Sequence, residues 1–156
     1  MTKIAVIQIR GAINVKKKVK DTLKMLRLRK KHNCAIHDAT PSVLGMLDVV
    51  KDYVTWGEID KETLKLLLEK RGKLPRSQPL TEQYIKEKLN MTFDELAEKI
   101  ISGEMKLKDI PGLRPVFRLK PPLYGFESGG IKKPFSMGGA LGYRKDKIND
   151  LIKRMV

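Results

Sequence analysis

From Lys3 to Arg10 the chain is a short apolar run rich in β-branched residues, the pattern of a strand. Ala5, Ile7 and Ile9 share one face; the other begins apolar at Ile4 and Val6 and turns polar at Gln8 and Arg10. Beyond Gly11 the period changes. Val15, Val19, Leu23 and Leu26 form the stripe of a helix from Val15 to Arg27, with Asn14 as its N-cap and lysines around the rest. Asn33–Asp38 reads as a second strand. Thr40 and Pro41 then open a second helix that carries Val43, Leu44, Met46, Leu47 and Val50, and Tyr53–Trp56 is a third strand. Residues 1–57 thus alternate strand and helix, as expected for an α+β unit with two helices on one face of a small sheet and the other face left for something else.

Residues 58–104 read as an inserted helical layer. Leu64, Leu67 and Leu68 mark one helix and Tyr84, Ile85 and Leu89 another, while Thr92–Glu95 is a capping box opening a third that ends at Gly103. Residues 105–156 are irregular and rich in Gly and Pro, with a short strand at Val116–Leu119. Ile148, Leu151, Ile152 and Met155 follow at helical spacing and should dock on the core. Lys120 to Arg144 holds too many Gly and Pro residues for a packed core and is expected to order on a partner.

Charge adds a partner. The net charge is +15, far beyond what solubility requires, and points to an anionic polymer. It is unevenly spread: Asn14–Lys31 and Met105–Val156 each carry a net +8, whereas Glu58–Glu104 is −1. Nucleic acid is the first candidate. The residues expected to touch it are Arg10, Lys16, Lys17, Lys18, Lys20, Arg27, Arg29, Lys30 and Lys31 in the first zone and Arg118, Lys120, Lys132, Lys133 and Arg144 in the second. Thr40 joins them because a helix N-terminus offers free backbone N–H groups to a phosphate. Gly45, inside the second helix, costs about 1 kcal/mol against alanine; close packing on the sheet or on RNA would each explain it.

Other chemistry finds little support. His32, Cys34 and His37 are near in sequence, but strand alternation sets His37 opposite the other two and no further pair completes a metal site. Gly125–Gly130 resembles the start of a phosphate loop, yet Ile131 stands where its lysine belongs. No nucleophile–base arrangement stands out, so no catalysis, metal or cofactor is expected. One cysteine and the absence of a long apolar run point to a reducing, cytoplasmic setting with no membrane span. Few Gln and Asn beside abundant Lys and Glu hint at a thermophilic source.

Three stretches of the first part (Ile7–Arg10, Leu26–Lys30 and Asp38–Met46) followed by Pro115–Pro122, Lys133–Phe135 and Gly138–Arg144 resemble the universal family of large-subunit ribosomal proteins numbered thirty in the bacterial series. The likeness is to its longer archaeal form, related to eukaryotic protein seven, and covers essentially the whole chain. It implies a ferredoxin-like, split β-α-β core of small antiparallel sheet bound to large-subunit ribosomal RNA, without catalysis or cofactor. The neutral insert departs from the bacterial pattern and could be exposed or touch neighbouring ribosomal proteins. Two other readings are a free RNA-processing or ribosome-assembly factor and a ferredoxin-like regulatory domain binding a small metabolite, for which +15 has no use.

Overall fold

The computed structural model describes residues 2–156. Strands β1 (Lys3–Gln8), β2 (Asn33–Asp38), β3 (Val54–Glu58), β4 (Val116–Arg118) and β5 (Gly142–Tyr143) form one sheet in the order β4-β2-β1-β3-β5. β1 lies antiparallel between β2 and β3, β4 adds antiparallel to β2, and β5 runs parallel to β3 at the opposite edge. The helices are α1 (Lys17–Met25), α2 (Pro41–Val50), α3 (Lys61–Arg71), α4 (Glu82–Leu89), α5 (Phe93–Ser102) and α6 (Ile148–Met155). This is an α+β fold, consistent with a ferredoxin-like core.

Strand alternation gives the sheet two apolar faces, and each has its own cover. On one, Ile4, Val6, Ala35 and Val54 meet Leu23 and Leu26 at the end of α1, Leu28 just beyond it, and Leu47 and Val50 of α2. On the other, Ala5, Ile7, Cys34 and Phe117 meet leucines of α3, Leu96 and Ile100 of α5, and Ile148, Leu151, Ile152 and Met155 of α6. The face left open by the first 57 residues is therefore closed by the chain's own later helices. Burying each such side chain is worth about 1.5–3 kcal/mol, so the stripe on α6 holds that helix firmly.

Local chemistry explains where the helices start and stop. The hydroxyls of Thr40, Thr81 and Thr92 and the carboxylate of Asp60 accept from backbone N–H groups of the first turns of α2, α4, α5 and α3. Gly103 closes α5 in the left-handed region, φ 88°. Asn149 locks α6 to the end of β3: its amide donates to the carbonyls of Glu58 (3.1 Å) and Asp146 (2.9 Å), and its oxygen accepts from the Asp60 N–H (3.0 Å). Gly57 allows this approach, because a Cβ there would lie 1.9 Å from the Lys145 carbonyl oxygen.

Three expectations are corrected. Asn14 does not cap α1; it sits two residues outside the true N-cap, Lys16, in left-handed backbone (φ 57°), and the helix begins without a side-chain cap. The Gly- and Pro-rich tail does pack: Ala140 and Leu141 are buried against Ile9, and β5 joins the sheet. Gly129 and Gly139 make that possible, since a Cβ at either would run into the backbone of Gly138 or Lys133. Gly45 is exposed with nothing within 4 Å of where its Cβ would be, so packing on the sheet does not explain it.

Candidate nucleic-acid interface

α1 and α2 cover the middle of their face of the sheet, and on that face no helix among the described residues lies over β4. The added edge strand therefore leaves a step. In β4, Val116 and Arg118 turn their side chains to the α1 side, in register with β2 as Asn33↔Arg118 and Ala35↔Val116, and Arg114 lies just before the strand. A cleft of about 390 Å³ results, lined by Lys24, Arg27 and Arg29 on one side and Arg114 and Arg118 on the other, with Asn33, Pro115 and Val116 between. A second cleft of about 280 Å³ continues from it, sharing Arg27 and Pro115 and adding Lys3, Lys106 and Lys108. The acidic side chain bordering them is Asp38, which is ion-paired with Lys3.

Arg27 stands at the junction because of how α1 ends. The Arg27 N–H donates to the Lys24 carbonyl (3.0 Å) and the Leu28 N–H to that of Leu23 (2.8 Å), which is a Schellman turn with Arg27 in its left-handed position, φ 64°. Glycine is the usual residue there. The turn buries Leu28 on the core and leaves the Arg27 side chain in solvent.

The other expected residues divide. Lys16 lies exposed at the N-cap of α1 and Lys17, Lys18 and Lys20 on the helix, Lys30 and Lys31 on the turn into β2, and Lys120, Lys132 and Lys133 on the tail. Arg10 is half-buried, donating to the Asp52 carbonyl (3.4 Å) with its guanidinium 5.3 Å from the Tyr53 ring centre, which anchors it to the start of β3. The Thr40 hydroxyl accepts from the Val43 N–H (3.2 Å) and serves as a cap.

Arg144 is not a surface residue. It is 2% exposed, and its guanidinium donates to the Thr55 hydroxyl (2.8 Å), the Ala140 carbonyl (2.7 Å) and the Glu127 carboxylate (3.2 Å), lying over Phe135 at 4.9 Å. Its role is to rivet the tail to β3, and it is withdrawn from the RNA-contacting set. Lys24, Arg114 and Asn33 were absent from that set although they line the cleft; the alternation Arg114, Val116, Arg118 beside Pro115 was the signal that could have found one of them.

His32, Cys34 and His37 each have separate surroundings. Cys34 lies in the second core, where burial pushes its thiol up to about 12. His37 Nε2 faces the Leu26 carbonyl (2.9 Å), His32 stacks on Phe126 (6.0 Å between centres), and burial lowers the pKa of both imidazoles.

The family model described as ribosomal protein L30p/L7e matches residues 4–54. The protein named large ribosomal subunit protein uL30 from Methanococcus maripaludis strain C5 is 51% identical over 152 residues, 97% of this chain and 98% of the relative. The protein of that name from Nanoarchaeum equitans is 49% identical over 156 residues, covering both chains fully. The one from Methanopyrus kandleri is 47% identical over 149 residues, 95% of this chain and 100% of the relative. Identity of this order along the whole length, not only across the first 54 residues, means that the chain belongs to the ribosomal protein L30p/L7e family.

Proposed function

We infer that this chain is a non-catalytic structural constituent of the large ribosomal subunit, at work in the cytoplasm, and that it holds ribosomal RNA by its phosphates and shape. The observation that carries the reading is the meeting of two basic zones, distant in sequence, along one face: Lys24, Arg27 and Arg29 opposite Arg114 and Arg118. Five cations so close repel one another in the free chain, and a polyanion relieves that repulsion while releasing its own counterions. Lys16, Lys17, Lys18 and Lys20 extend the surface along α1, and Lys30 and Lys31 along the turn. Lys120, Lys132 and Lys133 would add contacts from the tail. A-form RNA hides its base edges in a deep major groove, so phosphate spacing governs most of the fit. The outward sides of α3, α4 and α5, nearly neutral in charge, are assigned to neighbouring ribosomal proteins.

The test is filter binding to transcribed large-subunit ribosomal RNA across a salt series. Affinity should fall steeply with salt, each lost phosphate contact lowering the log–log slope by about 0.7–0.9. Replacing Arg27 and Arg29 together with alanine should weaken binding and flatten the slope by about two such steps while leaving the circular-dichroism spectrum in place. Lys65→Ala, on α3, should change neither. A salt-independent wild-type affinity would sink the electrostatic account.

A further inference from the structure

We propose that the cleft between α1 and β4 receives one unstacked nucleotide of the bound RNA, with its phosphate against the arginines and its base edge on the carboxamide of Asn33. The inference rests on the reading that this face binds RNA and adds to it a contact that reads a base.

Asn33 is the first residue of β2, 9% exposed, and opens into the cleft. Among the described residues its carboxamide makes no hydrogen bond within the chain, although its own backbone N–H is satisfied by the Lys30 carbonyl (3.2 Å). The residue is mostly covered but its carboxamide opens into the cleft, so a donor and an acceptor stand free there for a ligand group to take in place of water. The remaining polar side chains of the lining are lysine and arginine, which only donate. They suit a phosphate and need nothing more. Asn33 contributes an acceptor beside a donor, the complement of a base edge that presents a donor beside an acceptor.

Shape agrees with chemistry. Pro115 and Val116 supply an apolar patch next to Asn33 against which a ring can lie, and arginine planes on both walls can stack on it. A volume of about 390 Å³ lies at the small end of ligand pockets, which span about 300–1,000 Å³. That holds a single nucleotide and excludes a duplex. A base paired within a helix cannot reach the floor, so the nucleotide must come from a bulge, a loop or an internal mismatch.

Two measurements decide it. In filter binding to transcribed large-subunit ribosomal RNA, Asn33→Ala should weaken affinity about 5- to 100-fold, the range of a good two-point base contact, with an unchanged salt slope. Arg118→Ala should weaken it and lower the slope by about 0.7–0.9. The second needs no variant: in heteronuclear NMR of the wild-type chain, millimolar nucleoside 5′-monophosphates should shift the Asn33 side-chain amide, one base more than the others, and inorganic phosphate should not. If Asn33→Ala folds and binds like wild type, or if phosphate moves that amide as far as any nucleotide, the cleft holds phosphate only and the proposal falls. Should Asn33→Ala fail to fold, the nucleotide titration alone separates a base-reading cleft from a phosphate site. A wild-type chain that does not bind the RNA at all overturns the proposed function instead, a distinct result.

Discussion

Arg27 occupies a backbone conformation that favours glycine, and it does so where its side chain reaches both basic clefts. A left-handed residue with a Cβ costs about 1–2 kcal/mol, part of which glycine would return to the unfolded chain's entropy. Arg27→Gly should therefore raise the melting temperature, by about 2–4 °C per kcal/mol gained in a chain of this size, while weakening RNA binding several-fold. Parallel thermal melts and filter binding check it. A variant that lost stability would show that the arginine side chain holds the turn, and the account of strain kept for binding would be dropped. Gly45 shows the same tension in the opposite chemical sense: an exposed helix-interior glycine with no neighbour requiring it lowers the stability of α2 for no reason within the chain. At this scale the sequence was legible where a residue acts within a turn of itself, as Thr40 and Gly103 do. It was silent where the partner is remote: nothing around Asn33 announces a bare carboxamide, and nothing around Arg144 announces burial.

Arg144 joins elements that the chain separates widely, since its donors reach Thr55, 89 residues away, and Glu127, 17 away. Arg144→Ala strips the Thr55 hydroxyl and the Ala140 carbonyl of their donor and leaves a void over Phe135. The cost should be about 1–3 kcal/mol for each buried acceptor left without its donor, with amide hydrogen exchange accelerating first across Gly129–Tyr143. Lys132→Ala, exposed in the same segment, should stay within about 0.5 kcal/mol. Equal effects from the two would mean that the tail is held by its backbone bonds alone. The regular elements were readable because their signals are short-ranged: alternation for β1 and β2, caps for α2 and α5, the apolar stripe for α6. β5 was not, because it has two residues and exists only through its pairing with β3. The excess of Gly and Pro, which suggested a tail without a core, instead lets the tail's backbone pass close over itself.

Across the whole molecule, both histidines sit where burial disfavours the charged ring. Their folded pKa values lie below the ordinary 6.5, so unfolding takes up protons beneath that pH. The stability they confer is complete above pH 6.5 and is lost as pH falls toward the folded values. Melting temperature should accordingly drop from pH 7 to pH 5, and drop less in a variant with His32 and His37 both replaced by glutamine; an identical decline would assign the effect to carboxylates. The two cores also differ in when they can exist. The one under α1 and α2 draws on residues from Ile4 to Val54, a stretch that leaves a translating ribosome early and can condense while the rest is still being made. The other joins Ala5, Ile7 and Cys34 to side chains as far on as Met155. Until α3, α5 and finally α6 have been synthesised, that side of a formed sheet is incompletely covered, and transiently exposed apolar surface of this kind is prone to aggregate.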